Sequence, residues 1–176
     1  QEKPPVLIEV GASGKISRSW KKIAKYSICI AFDADLRDFQ TEVSGSGYKR
    51  LIKINKLVLD IQGTNDFFLT RYSHCSSSLK PDKESLNDWL FRDYFIVDKV
   101  SEMTATTLSE VLDTLKIDYL DWFKIDSQGT DLRIFKQLKN SIRNKVLVAE
   151  FEPGLADTYL NEDKLHSILK FMNEEF

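Results

Sequence analysis

The chain has 176 residues, 42% of them hydrophobic and 30% charged, with a formal net charge of −2. That is ordinary globular composition, and a chain of this length buries roughly 70% of its unfolded surface, so a single domain over residues 1–176 with its own core is expected. The charge leaves no basic excess to neutralise a phosphate backbone, which speaks against nucleic acid as a partner.

No run of about 18 apolar residues exists, so no membrane span is read, and seven Gly and four Pro are too few for a low-complexity chain. The first five residues are polar and lack the apolar stretch of a secretory signal, so a cytoplasmic location is expected. Cys29 lies in an apolar run and Cys75 in a Ser-rich one; they form no disulfide framework, and a free, buried Cys29 is expected. His74 and His166 are far apart, and no Cys/His spacing matches a zinc site, so no metal is expected.

In chain order, Val6–Val10 reads as a buried strand stopped by a glycine turn at Gly11. Residues 16–26 read as a helix with Trp20, Ile23 and Ala24 on one face, capped by Ser17 or Ser19. Residues 27–32 form a second apolar run closed by Asp33-Ala34-Asp35, which completes a βαβ unit. A Ser-Gly-Ser-Gly loop at 44–47 leads to a strand over 52–61, a turn at 63–66 and a strand over 67–70, read together as a hairpin-like excursion. Residues 73–93 read as a long excursion over the sheet.

A strand over 95–100 precedes a helix over 107–115, where Leu108, Val111, Leu112 and Leu115 share a face and Thr107 with Glu110 fits a capping box. A strand over 119–125, a helix from Gly129 through Leu138 and a strand over 146–151 follow. Asn161 is expected to cap a last helix with Leu165, Ile168, Leu169 and Met172 inward; Trp20 and Phe135 are expected in the core, and His166 beside the last apolar stripe. The alternation predicts an α/β fold with a mostly parallel sheet and the first strand central.

Open parallel sheets bind ligands outside the carboxyl ends of their strands. Those ends carry Glu9 with the Gly11-Ala12-Ser13-Gly14 turn, Asp33 with Asp35, Asp126 with Gln128-Gly129, and Glu150 with Glu152. Glycines admit a ligand close to the backbone, and Asp33, 22 positions after Gly11, stands where an acid meets ribose hydroxyls in nucleotide-binding βαβ units. A plain strand-to-helix turn accounts for Gly11 and Gly14 equally, and a helix cap accounts for Asp35. Ser13 stands where a nicotinamide-binding fold wants its second glycine. An Asp126–Glu150 carboxylate pair holding Mg²⁺ is a minor alternative.

These residues resemble a family. Ile8-Glu9-Val10-Gly11-Ala12-Ser13-Gly14 resembles motif I of class I S-adenosylmethionine-dependent methyltransferases. Ala31-Phe32-Asp33-Ala34-Asp35, the block from Trp122 through Lys124-Ile125-Asp126-Ser127-Gln128-Gly129 to Asp131, Val148-Ala149-Glu150, and Phe67 to Arg71 with Cys75-Ser76-Ser77-Ser78-Leu79 are similar to blocks of its FkbM-type branch, in order. The chain departs from that pattern at Glu9, where the family usually has Asp, at Gln128, where it usually has Glu, and at Lys15, near a further motif I glycine. The final antiparallel strand pair usual in the class is not read here, so a domain shortened at its C-terminal end is an expectation.

The resemblance implies a Rossmann-like three-layer α/β/α sandwich, S-adenosyl-L-methionine as cofactor, and O-methylation of a sugar or other small hydroxylated acceptor. It implies cofactor contacts from Glu9, Gly11, Ala12, Ser13, Gly14, Asp33 and Asp35, with Glu9 toward the methionine end. Asp126 is the implied base or orienting group, unless it caps the helix starting near Thr130. Lys124, two residues earlier on the same strand face, is expected to assist Asp126 or to form a structural salt bridge with it. His74, Ser76 and Ser77 read first as a Ser-rich solvated loop, with a substrate loop as the functional alternative. A methyltransferase-like module that binds without catalysis and an NAD(P)-dependent oxidoreductase are the alternatives.

Overall fold

The computed structural model describes residues 3–12, 16–37, 39 and 46–176. Strands β1 (Val6–Val10), β2 (Ile28–Phe32), β3 (Arg50–Ile54), β7 (Trp122–Ile125) and β8 (Val148–Phe151) form an all-parallel sheet in the order β3-β2-β1-β7-β8. The first strand is central, as expected, and all five of its residues are buried. A second, smaller sheet holds β4 (Leu57–Val58), β6 (Val97–Thr106) and β5 (Gly63–Thr70) in the order β4-β6-β5, with β5 and β6 antiparallel.

Period-two alternation assigns the two faces of the main sheet. Val6, Ile8, Val10, Ile30, Phe32, Phe123 and Ile125 pack under α1 (Leu108–Leu115), α2 (Asp131–Lys136), α3 (Asn140–Arg143) and α4 (Leu165–Glu175). Leu7, Cys29 and Trp122 face the other way, against Trp20 and Ile23 of the segment that joins β1 to β2. The result is the three-layer α/β sandwich. Trp20 and Phe135 are fully buried, and Cys29 and Cys75 are free and buried, burial pushing their thiols up to about 12 and about 11. Among the described residues no helix is long and apolar enough to cross a membrane.

Several boundaries differ from expectation. The helix read over 16–26 is two 3-10 turns, Arg18–Lys22 and Ala24–Tyr26. Arg18 with Lys22 and Lys21 with Lys25 are like charges at i,i+4, which oppose a continuous α-helix. The strand read over 52–61 is two strands in different sheets: the Asn55 side-chain amide donates to the Asp33 and Ala34 carbonyls and holds the chain where it leaves β3. The expected hairpin is absent; β5 begins at Gly63 itself and pairs with β6, with β4 on the far side of β6. Of the 44–47 loop, Ser44 and Gly45 lie outside the described residues.

Thr107 caps α1 by accepting from the Glu110 amide, while the Glu110 carboxylate takes the Thr106 hydroxyl. The helix read through Leu138 ends at Lys136, where Ser109 Oγ donates to the Gln137 carbonyl, and resumes as α3. Lys164, not Asn161, is the N-cap of α4, because Asn161 sits in the left-handed region at φ 61°. The inward stripe is rotated accordingly: Ile168 and Phe171 are buried, while Leu165, Leu169 and His166 are exposed.

Candidate active site

The strand order reverses direction at β1: the chain builds outward to β2 and β3, then returns to place β7 and β8 on the other side. A crevice forms at such a switch point. Here the carboxyl ends of β1, β2 and β7, walled by β4 and the 73–78 segment, enclose a cleft with about 640 Å³ of open space, including solvent at its mouth.

Gly11 closes β1 at φ +80°, a conformation natural to glycine, and a Cβ there would stand 2.0 Å from the Asp126 carbonyl oxygen. The glycine therefore lets the ends of β1 and β7 meet, and the Asp126 amide donates to the Val10 carbonyl at 3.0 Å. The amides of Gly11 and Ala12 both donate to the Phe32 carbonyl at 3.0 Å, so they tie β1 to β2 and do not point at a ligand. Ala12 is buried against Ala31 and Phe39. Ser13 and Gly14 lie outside the described residues.

Two acids follow β2. Asp33 lines the cleft, and its Oδ1 accepts the Asp35 amide at 2.8 Å. Asp35 lines it too, but its carboxylate is gripped by the Arg37 fork, through Nε at 2.9 Å and Nη2 at 2.5 Å. Arg37 also reaches the Thr70 carbonyl and Ser76 Oγ, both at 2.8 Å, and so ties the end of β2 to the 73–78 wall. Nothing in the sequence reading pointed to Arg37; its spacing of two from Asp35 was the available signal.

His74 and Ser76 line the cleft, with the Tyr72 ring 5.1 Å from that of His74. Ser77 does not: it is fully buried, donates to the Gln128 carbonyl at 2.7 Å and accepts the Leu79 amide. It is a tie between the wall and the β7 loop. Lys56, exposed and unflagged by sequence, also lines the cleft.

Asp126 faces the cleft from the end of β7. Burial, then the charges of Glu152 and Asp131, push its carboxyl up to about 7 against the opposing pull of Gln128 and Lys124. It caps no helix. Ser127 Oγ takes the Thr130 amide, and Asp131 accepts from Ser127 N, Ser127 Oγ and the Glu152 amide, its own carboxyl raised to about 6 by burial.

The expected Lys124–Asp126 pair is not formed. Lys124 stands opposite Glu9 in the β1–β7 register, and its Nζ lies 2.9 Å from Glu9 Oε1. Strand alternation ends at Ile125, so Asp126 turns over the cleft and away from that pair. Glu9 is 2% exposed and accepts the Ser17 amide with its other oxygen, so it reaches the loop after β1 while remaining outside the cleft lining. Glu150 accepts the Trp122 indole N–H; the acids beside Asp126 are Asp131 and Glu152. No group of three or more metal-ligating side chains occurs among the described residues.

A parallel sheet with a crevice at its switch point, a glycine at the end of the first strand and an acid at the end of the second define a Rossmann-like α/β protein. A family model for the methyltransferase FkbM domain matches residues 33–175, most of the chain, and the chain belongs to that family. The match begins at Asp33, so the Gly11 turn rests on its geometry. No curated protein and no solved structure matches the chain.

Proposed function

We propose that this methyltransferase-family chain uses S-adenosylmethionine to methylate a hydroxyl of a small acceptor, with a sugar as the favoured class. The observation that carries the reading is the cleft that gathers Gly11, Asp33 and Asp126 at one sheet edge. These residues suit the cofactor: Asp33 offers carboxylate acceptors at the ribose position, and Gly11 lets the ends of β1 and β7 close together beside it. When bound, the cofactor supplies an electrophilic methyl on a sulfonium.

Asp126 then does the remaining chemistry. With its carboxyl raised to about 7, it is substantially ionised at neutral pH yet still basic enough to take an acceptor hydroxyl proton. The cleft aligns acceptor and methyl, and His74, Ser76 and Lys56 are the polar groups available to orient the acceptor.

Calorimetric titration with S-adenosylmethionine, S-adenosylhomocysteine and NADH tests the cofactor class. Binding of the first two without the third is expected. Binding of NADH alone would replace this reading with an oxidoreductase, and binding of none would leave no cofactor-dependent activity.

A further inference from the structure

Behind Asp126 lies a chain of groups that the chemistry above does not use. Tyr159, 3% exposed, places its hydroxyl 2.8 Å from the Cys75 carbonyl oxygen and 2.9 Å from Gln128 Oε1. Gln128 Nε2 in turn donates to Asp126 Oδ1. The Phe95 ring packs edge-on against Tyr159 at 5.8 Å, and the Gln128 backbone is pinned at φ 57° with its carbonyl bonded by Ser77.

The protons in this chain do not suffice. A phenol has one proton, and burial and the neighbouring acids push Tyr159 ionisation upward, so it keeps that proton and has no second one. Two oxygens face it. With the amide oxygen toward Tyr159, one of the two contacts has no hydrogen in it. Turning the amide by half a rotation repairs this: Tyr159 donates to Cys75 and accepts from Gln128 Nε2. Gln128 Oε1 then faces Asp126 Oδ1, and that contact is a hydrogen bond only if Asp126 carries a proton.

We infer that Tyr159, acting through the Gln128 amide, is a positioning residue that favours neutral Asp126 until a cation occupies the cleft. The two arrangements are the two states of one element. In one, Asp126 is protonated and each contact from the Cys75 carbonyl through Tyr159 and Gln128 to Asp126 contains a proton. In the other, Asp126 is ionised, Gln128 Nε2 donates to it, and one contact at Tyr159 is forfeited. The proton leaves to water as the amide turns.

The surroundings agree. Asp131 on α2 and Glu152 after β8 oppose ionisation; Lys124 on β7 favours it but is engaged by Glu9. Across the cleft stand Asp33, the Arg37-held Asp35, Lys56 and His74, and behind Asp126 the Cys75 thiol is neutral. A sulfonium in the cleft, the cation assigned by the proposed function on which this part rests, adds the positive charge that tips the balance. Cofactor binding would thereby prepare the base.

The ligand-free protein tests the element itself. The Asp126 carboxyl carbon is followed by NMR against pH in the wild type and in Tyr159→Phe, with thermal melting to verify folding. A proton affinity roughly tenfold lower in Tyr159→Phe is expected, since the protonated arrangement loses its hydroxyl. In the wild type, contacts between the Gln128 amide protons and the Tyr159 ring should be present below the midpoint and lost above it. This needs no variant and holds if Tyr159→Phe does not fold. An unshifted midpoint in folded Tyr159→Phe, or amide contacts independent of pH, overturns the inference.

The coupling to the cation is read separately, by calorimetry in buffers of different ionisation enthalpy. S-adenosylmethionine should release a proton on binding and the uncharged thioether S-adenosylhomocysteine should release less. Equal release from both overturns the coupling, and absence of any binding overturns the proposed function while leaving the ligand-free titration to stand or fall alone.

Discussion

Gly11 and Asp126 meet so closely that a methyl group on the glycine would stand 2.0 Å from the aspartate's carbonyl oxygen. The obstacle is backbone, held in place by the Asp126 amide bond to Val10, so it cannot swing aside as a side chain would. Gly11→Ala also places an L-residue at φ +80°. Both effects act at the crevice, so the variant should lose about 2–4 kcal/mol of stability and its cofactor affinity together. Denaturant unfolding and calorimetric titration check this; unchanged values would mean that β1 and β7 part freely.

The parts of the molecule that were legible in sequence are those fixed by local pattern. Apolar runs gave four of the five parallel strands, all but β3, and the Gly11 and Asp33 ends gave the two sides of the crevice. What was not legible depends on register and on distant segments meeting. The Glu9–Lys124 pair follows from strand pairing, not from spacing along β7. Tyr159 reaches the site from 84 residues beyond Cys75, and Arg37 acts through Thr70 and Ser76. The 3-10 turns escaped because an apolar stripe was weighed without the like charges beside it.

Asp33 and Asp35 are two residues apart but differ in what holds them. Asp35 is held by Arg37, whereas Asp33 accepts the Asp35 amide and is the acid that the proposed function sets at the ribose. Asp33→Ala should weaken S-adenosylhomocysteine binding by about 1–3 kcal/mol with little change in melting temperature. Asp35→Ala should do the reverse in emphasis, lowering the melting temperature because Arg37 loses its partner. Calorimetry and melting on both variants separate them; equal losses of affinity would put both carboxylates on the ligand.

Lys124 and Glu9 form a largely buried pair, with side chains 26% and 2% exposed. Burial pulls the Lys124 ammonium down, but the hydrogen bond and charge of Glu9 outweigh it and leave the group above its ordinary 10.5. For a base raised in this way, the stabilisation is complete at neutral pH and fades only as pH rises through the folded value. Lys124→Met should therefore cost about 2–4 kcal/mol at pH 7, less than for a fully buried pair because Lys124 is partly solvated. That difference should shrink above pH 10.5. Turnover per folded molecule should persist; a collapse of turnover with intact folding would return Lys124 to the catalytic step.

Asp126 is the group on which the methyl-transfer reading rests, and its raised carboxyl gives two independent signatures. If Asp126 takes the acceptor proton, Asp126→Asn should cut turnover about 10²–10⁴-fold while cofactor affinity changes much less, because the proposed ribose contact is made by Asp33. The wild-type rate should climb with pH through the region near 7 where the carboxyl ionises, and the variant's residual rate should not. Stability runs in the opposite direction. The carboxyl ionises near 3.8 in the unfolded chain and near 7 in the folded one, so the folded state holds the extra proton between those values and loses stability as pH rises across them. Asn cannot ionise, so Asp126→Asn should gain about 1–3 kcal/mol over the wild type between pH 4 and pH 7 and hold that gain above. Denaturant unfolding across this range, with rates and calorimetry on the same preparations, decides the matter. A variant of wild-type rate would remove Asp126 from the proton transfer, and a stability difference flat with pH would remove the raised carboxyl from the explanation.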